Sequence, residues 1–348
     1  MSLGLLNVYS TRNLGDAAIY AALARMSHSG SVVGNVMDQE PTSILGLTQG
    51  DAFAACKAWV SVGGDIFNNA RPKLITRRFL KNVSELRRQP QSTMLFGQSI
   101  PRSCRNAAFL YLASALKKLG MVAIRDVESH QRLAAKGVNA VLTYDTAFAL
   151  EPQNAARSAA ASAFLKAGLD PHKTALISLR NESGMYESNN GESQIVEITR
   201  RLVRRGHQVA LLIQADGDDA DTDWAMARRI LAEVPEVKVL NPFLAVQPLE
   251  PWSLMTAMLG LANLVVAVRY HAAVLRLVEQ RLPYVLHYSN KGADLCDRLQ
   301  LPGSSLGQRR VDEIIADIEK TAAKPFNSEP YQAHVRETFS LGLKAIAA

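Results

Sequence analysis

Short apolar runs alternate along this chain with amphipathic stretches of about ten or more residues, and that alternation constrains its fold more than any other feature. The run Leu264–Val268 is apolar from end to end, and Ala58–Val62 is apolar except for Ser61. A strand without polar alternation has both faces covered, which is the condition of a parallel sheet flanked by helices. In the first half, strands are predicted at Gly4–Ser10, Ser31–Val36, Ala58–Val62, Thr93–Phe96, Val122–Ile124 and Val141–Leu142. Helical patterns separate most of them. The clearest is Val127–Lys136, with Asp126 placed to cap its start and Gly137 to stop it.

At 348 residues the chain exceeds what one hydrophobic core usually organises, so two domains are expected. Between Glu151 and His172 the sequence turns rich in Ala and Ser, punctuated by Pro152 and Pro171. A second βα series follows. Strands are predicted at Thr174–Leu179, Gln208–Ile213, Val237–Leu240, Leu264–Val268 and Pro283–Tyr288. Helices are predicted at Gln194–Arg205, Asp221–Glu233, Pro251–Leu259 and His271–Glu279. The expected architecture is therefore α/β, with two Rossmann-like domains facing a cleft, residues 1–155 and 170–348. The stretches Val311–Thr321 and Glu329–Ala347 carry apolar faces that either pack back across the domains, the last helix onto the first domain, or form a dimer interface.

Composition removes several classes of function. With 48% apolar and 20% charged residues, the chain is built to form a core. Its apolar runs fall far short of the roughly 20 residues of a membrane-spanning helix. Met1–Ser10 shows no basic segment or cleavage site of a secretory signal, so a cytoplasmic location is expected. Cys56, Cys104 and Cys296 are odd in number and scattered, and neither disulfides nor a metal site is expected. The net charge of +7 suits nucleic acid, anionic headgroups or small anions as partners, or merely a solubilising surface. Nucleic acid is disfavoured, because the pairs Arg77-Arg78, Arg87-Arg88 and Arg204-Arg205 read as solvated helix faces. Neither a GxGxxG nor a GxxxxGK[ST] motif occurs.

In parallel α/β folds, ligands bind beyond the carboxyl ends of strands, so strand-to-helix junctions are where chemistry is sought. At Arg12-Asn13-Leu14-Gly15-Asp16, a glycine-containing turn opens a helix, which suits an anion; alternatively Asn13 or Asp16 simply caps the helix. Gly63-Gly64-Asp65 permits a close approach of ligand to backbone or only a tight turn. Gln98 stands at a third junction and could donate to a sugar hydroxyl, and Arg125-Asp126 reads as a local ion pair worth little. Arg180 follows a buried strand, where a guanidinium can grip a carboxylate or phosphate through two hydrogen bonds. Arg269 and His271 lie between an apolar strand and a helix, and face one ligand if extended geometry continues through them. Asn290 and Lys291 follow the next strand and bring a cation to the same rim or to solvent. The acidic run Asp216–Asp221 lacks the spacing of a calcium loop and reads as a loop and helix cap, with Asp221 and Asp223 favourable near a helix start.

Taken in order, Asn13-x-Gly15-Asp16, Gly63-Gly64-Asp65, Gly97-Gln98-x-x-Pro101, Arg125-Asp126, Asp145-x-Ala147-Phe148, Ser178-x-Arg180 and Arg269-x-His271-Ala272 resemble the polysaccharide pyruvyl transferase family. The resemblance spans residues 5 to 295. It implies a two-domain, glycosyltransferase-B-like architecture and transfer of the enolpyruvyl unit of phosphoenolpyruvate onto sugar hydroxyls, commonly as a cyclic ketal, with no cofactor or metal. It further implies that Arg180 and Arg269 hold the donor's phosphate and carboxylate, with Asn290 and Lys291 as secondary contacts. His271 would be the general acid. Asp16 is the candidate base, and Arg12, Asn13, Gly15, Gly63, Gly64, Asp65 and Gln98 fall on the acceptor side. The acceptor implied is a saccharide or lipid-linked oligosaccharide, with the basic surface suited to peripheral association at the inner membrane face. At Asp65, Ser99 and Thr146 the chain departs from the common family pattern. Two other readings stand beside this one: a glycosyltransferase using a nucleotide sugar, and a non-catalytic sugar- or anion-binding protein.

Overall fold

The computed structural model describes residues 2–8, 10–27, 31–33, 44, 46–64, 66–69, 74–180, 191–216, 222–246 and 248–347. It divides into two compact units. The first comprises Met1–Thr11, Asp16–Leu150 and Glu329–Ala348, and the second Arg12–Gly15 and Glu151–Ser328.

Among the described residues, the first unit holds a seven-stranded sheet of β1 (Leu3–Leu6), β2 (Ser31–Val33), β3 (Leu47–Gln49), β4 (Ala58–Ser61), β5 (Thr93–Gln98), β6 (Met121–Ile124) and β7 (Val141–Leu142), in the order β3-β2-β1-β4-β5-β6-β7. The second holds β8 (Thr174–Ser178), β9 (Gln208–Leu212), β10 (Lys238–Leu240), β11 (Leu264–Ala267), β12 (Tyr284–His287) and β13 (Gly303–Ser305), in the order β10-β9-β8-β11-β12-β13. All the named pairings are parallel. In each sheet the third, second, first and fourth strands lie side by side, the Rossmann order. Chain direction across the sheet therefore reverses between β1 and β4 and between β8 and β11, the switch points where such sheets bind ligands.

The apolar runs become strands buried along their whole length, as in β4, β8 and β11. Burying such strands on both faces is the main source of stability in this architecture, at about 25 cal/mol per Å2 of apolar surface. Two edge strands carry no such signal. β3 reads Leu-Thr-Gln and β13 reads Gly-Ser-Ser. At Gly303 a Cβ would lie 2.6 Å from the Val285 carbonyl oxygen, so backbone proximity, not side-chain propensity, admits β13. The first strand is shorter than Gly4–Ser10, because Asn7 adopts a left-handed conformation at φ 59° and ends it. The predicted helix at Asp221 instead runs Asp223–Glu233, with Thr222 as its N-cap residue; Asp221 lies outside the described residues.

The terminal helix Glu329–Ala347 belongs to the first unit, although the sequence division placed it within 170–348. Phe339 meets Phe96 edge-on at 5.1 Å, and Gln332 and Arg336 donate to the carbonyls of Leu150 and Ala149. At Gly342 a Cβ would lie 2.6 Å from the Met94 sulfur, so the helix approaches β5 through a glycine. Residues 12–15 show the opposite exchange and group with the second unit.

Candidate functional site

The switch point of the second unit is built from the ends of β8 and β11. Ser178, the last residue of β8, is fully buried, and its Oγ accepts the backbone N–H groups of Val268 (3.0 Å) and Arg269 (3.1 Å). That hydroxyl fixes the turn leaving β11. Arg269 is the N-cap residue of the helix Tyr270–Val278, in extended conformation at φ −82° and ψ 135°. Extended geometry stops there, and His271 is the second residue of the helix. Strand alternation is therefore not what relates Arg269 to His271; the cap does that.

The Arg269 guanidinium, 8% exposed, is held from behind. Its Nε donates to the Leu179 carbonyl (2.6 Å) and to Asp223 Oδ1 (3.0 Å), and its Nη2 donates to the same carboxylate oxygen. Nη1 makes no hydrogen bond among the described residues. The edge available to an anion is thus narrower than a bare guanidinium fork. Asp223, fully buried in the first turn of its helix, also accepts through Oδ2 the backbone N–H groups of Gln214 (2.8 Å) and Ala215 (2.9 Å). Four N–H bonds converge on one carboxylate.

His271 is 8% exposed and meets the Tyr270 ring edge-on at 5.4 Å. Gly15 packs directly against it. A Cβ built on Gly15 would fall 2.7 Å from His271 Cβ, 2.5 Å from Cγ and closer still to Nδ1. The strap 12–15 is anchored to the segment after β9: Leu14 N–H donates to the Gln214 carbonyl (2.9 Å), Asp216 N–H donates to the Arg12 carbonyl (3.1 Å), and Asn13 forms an antiparallel bridge with Ala215. The Asn13 side chain accepts the Gly15 N–H at 3.1 Å, a local turn that opens the helix Leu14–Met26. Gly15 is thereby a packing partner of the imidazole within the second unit.

Arg180 lies two residues beyond β8, half-buried, with its guanidinium carbon 5.1 Å from the centroid of the Tyr288 ring. A cation over an aromatic face gains about 0.5–1 kcal/mol and a preferred orientation. Asn290 and Lys291 begin the helix Asn290–Leu299 after β12. At Gly292 a Cβ would lie 2.6 Å from His287 Cβ, and burial pushes the His287 imidazole below its ordinary pKa.

In the first unit, Gly63 has a φ of 111°, a conformation side chains rarely adopt. Gly64 lies beneath Asp16, whose Oδ1 would be 3.3 Å from an added Cβ. Gln98 is fully buried and donates to Ser61 Oγ at 3.1 Å, a hydroxyl that also accepts from Asn7 Nδ2 at 2.9 Å. Its amide therefore belongs to a polar knot beneath the ends of β1, β4 and β5, where the sequence suggested an open hydrogen-bond donor. Arg125 pairs with Asp145 at 2.5 Å, both side chains buried, and its Nε donates to Ser99 at 2.9 Å. The weak local pair with Asp126 is replaced by that buried pair, and Asp126 caps its helix by accepting Ser129 N–H at 2.8 Å. Arg12 is exposed, and Asp65 lies outside the described residues.

Sequence reasoning saw Asp223 only as an acid near a helix start and gave Asn7 no role. An acid in a first turn looks the same whether it faces solvent or an arginine 46 positions away. Among the described residues there is no cluster of three or more His, Cys, Asp or Glu able to hold a metal ion, and no helix long and apolar enough to cross a membrane.

The family model for polysaccharide pyruvyl transferases matches residues 13–275, which contain all of the strap but Arg12, both switch-point arginines and His271. The chain belongs to that family. Polysaccharide pyruvyl transferases are transferases, and this chain is assigned to that class. No curated protein matches it. Among solved structures, the UDP-GlcNAc 2-epimerase of Neisseria meningitidis bound to UDP-GlcNAc is similar, with a TM-score of 0.61 and 10% identity over 98% of this chain and all of that one. The UDP-GlcNAc 2-epimerase of Methanocaldococcus jannaschii gives 0.57 at 10% identity, again over 98% of this chain and all of that one. A UDP-forming trehalose-phosphate synthase of Burkholderia xenovorans gives 0.55 at 12% identity over the whole of both chains. At such identities the likeness concerns fold, and the fold is the glycosyltransferase-B-like one expected from the sequence.

Proposed function

We propose that the protein transfers the enolpyruvyl unit of phosphoenolpyruvate to a saccharide, or to a lipid-linked oligosaccharide, and closes a pyruvate ketal with release of phosphate. The observation that supports this reading is the arrangement at one switch point of two arginines, two residues beyond adjacent strands β8 and β11, with a buried histidine on the following helix. The donor is a small dianion or trianion. Arg180 and Arg269 supply positive charge for its phosphate and carboxylate, with Asn290 and Lys291 as further contacts on the neighbouring helix start. His271 gives a proton to the methylene carbon, and C2 becomes electrophilic.

A sugar hydroxyl then bonds to C2 and loses its proton to a base, for which Asp16 is the candidate. The C2–O bond to phosphate breaks as inorganic phosphate leaves, and a second hydroxyl bonds to C2 and releases the second proton. One proton ends in the new methyl group and the other in solvent or phosphate. Charge clamping and proton transfer suffice for each step. Gly63, Gly64, Asp65, Gln98, Arg12 and Asn13 belong to the acceptor side in this reading, Gln98 by shaping the strand ends from beneath. The +7 charge favours work at an anionic membrane face.

Phosphate release from phosphoenolpyruvate, measured over a panel of sugars and lipid-linked acceptors, tests the reading. Wild-type protein is expected to release phosphate only with acceptor, and His271→Ala to lose about 10²-fold or more of that rate. Release that survives both His271→Ala and Arg269→Ala would sink the site assignment. Turnover of a UDP-sugar in place of phosphoenolpyruvate would replace the reaction.

A further inference from the structure

Asp223 lies outside the chemistry just described, yet it joins two parts of the site that are distant in sequence. One oxygen, Oδ1, takes Nε and Nη2 of Arg269; the other, Oδ2, takes the N–H groups of Gln214 and Ala215. Those two residues carry the backbone to which the strap is fastened, through Leu14 N–H on the Gln214 carbonyl and the bridge between Asn13 and Ala215. The strap ends in Gly15, against the His271 imidazole. A single buried carboxylate therefore stands behind both the cation and the packing partner of the proposed acid.

We propose that Asp223 is a positioning residue of the donor site, setting the guanidinium edge of Arg269 with one oxygen and the strap that packs on His271 with the other. The donor part of this proposal rests on the phosphoenolpyruvate reading; the positioning part does not. With Nε and Nη2 committed to Asp223 and Leu179, Arg269 meets the donor through Nη1 and the free side of Nη2. The ligand class that such an edge selects is a small oxyanion arriving from one direction. Asparagine at 223 cannot reproduce the arrangement, since its amide has one accepting oxygen and one donating nitrogen. Whichever way it turns, an N–H group faces either the guanidinium or the Gln214 and Ala215 amides.

The test uses the full-length chain and three readouts: phosphoenolpyruvate affinity by calorimetry, the arginine Nε–H resonances by nuclear magnetic resonance, and amide hydrogen exchange over residues 12–16 and 214–216. In wild type, Arg269 Nε–H is expected as a slowly exchanging resonance. In Asp223→Asn that resonance exchanges at least tenfold faster, exchange at Leu14 and Asp216 quickens likewise, and donor affinity falls about tenfold to a hundredfold, as expected for a small misplacement of a charged contact. Should Asp223→Asn fail to fold, the double variant Asp223→Asn/Arg269→Gln removes both buried charges and still reports on the strap. Unchanged exchange at Leu14 and Asp216 in either variant, or an unchanged Arg269 resonance in the single one, overturns the proposal. Wild type that shows the exchange behaviour but does not bind phosphoenolpyruvate overturns the donor assignment and leaves Asp223 as the element that positions Arg269.

Discussion

Replacing Gly15 by alanine adds one methyl group at the tightest point of the site. That methyl would sit 2.5 Å from His271 Cγ and closer still to Nδ1, whereas ordinary contact begins at 3.4 Å, so the ring must retreat by at least 3.4 − 2.5 = 0.9 Å, or the strap must lift by as much. The strap is held by two backbone hydrogen bonds and a bridge to the segment after β9, and the imidazole begins a helix whose residues from His271 to Val278 are all buried. Neither partner is the loose end of a flexible side chain. Overpacking of this kind costs about 1–3 kcal/mol, and a displacement near 1 Å at a reacting group costs on the order of 10²-fold in rate.

The stability cost is measurable without any acceptor. Urea unfolding of wild type, Gly15→Ala, His271→Gly and the double variant forms a cycle in which His271→Gly removes all three ring and side-chain atoms that the methyl would meet. The expected coupling is about 1–3 kcal/mol, with Gly15→Ala nearly neutral once the imidazole is gone. Additivity within about 0.5 kcal/mol would refute the packing argument, and the loss of rate attributed to it would need another cause.

Two further predictions concern the rest of the chain. Asp145→Ala leaves Arg125 as a buried charge without its carboxylate, and is expected to destabilise the first unit by about 3–5 kcal/mol in urea unfolding; a loss below about 1 kcal/mol would show that water reaches the pair. Burial pushes the thiols of Cys104 and Cys296 up to about 12, so at pH 8 about one molecule in ten thousand carries the thiolate at either position. Iodoacetamide should label both slowly in native protein and rapidly after unfolding, and fast native labelling of either would refute the burial argument.

The parts of the fold that were legible in the sequence are those where local composition and burial agree. β8 and β11 read as strands because covering both faces favours short runs dominated by apolar residues, and Val127–Lys136 reads as a helix, observed as Val127–Ala134, because Asp126 caps its start by accepting the Ser129 N–H. β3 and β13 were not legible, since short edge strands need little more than a neighbour with free hydrogen-bonding groups. The terminal helix carried an apolar face, but such a face does not say which sheet it covers. At the site, Arg180, Arg269 and His271 stood out by residue type at strand ends. Asp223 did not, and Gln98 misled, because an amide at a strand end looks available until the hydroxyl of Ser61 and the amide of Asn7 are found around it.

The short motifs of this family are weak individually for a physical reason. Asn13-x-Gly15 and Ser178-x-Arg180 each contain a residue whose task is to hold or admit another segment, that of Arg269 and His271 above all. Asn13 joins its strap to Ala215 in a bridge, Ser178 fixes the turn that carries Arg269, and Gly15 leaves room for His271. None of these tasks leaves a mark within its own motif, because each partner lies many residues away. The specificity of the pattern therefore resides in the set. A chain keeping Arg180, Arg269 and His271 but losing Gly15, Ser178 or Asp223 would retain the charged groups of the site without the contacts that set their geometry. Such a chain should bind anions more readily than it turns them over.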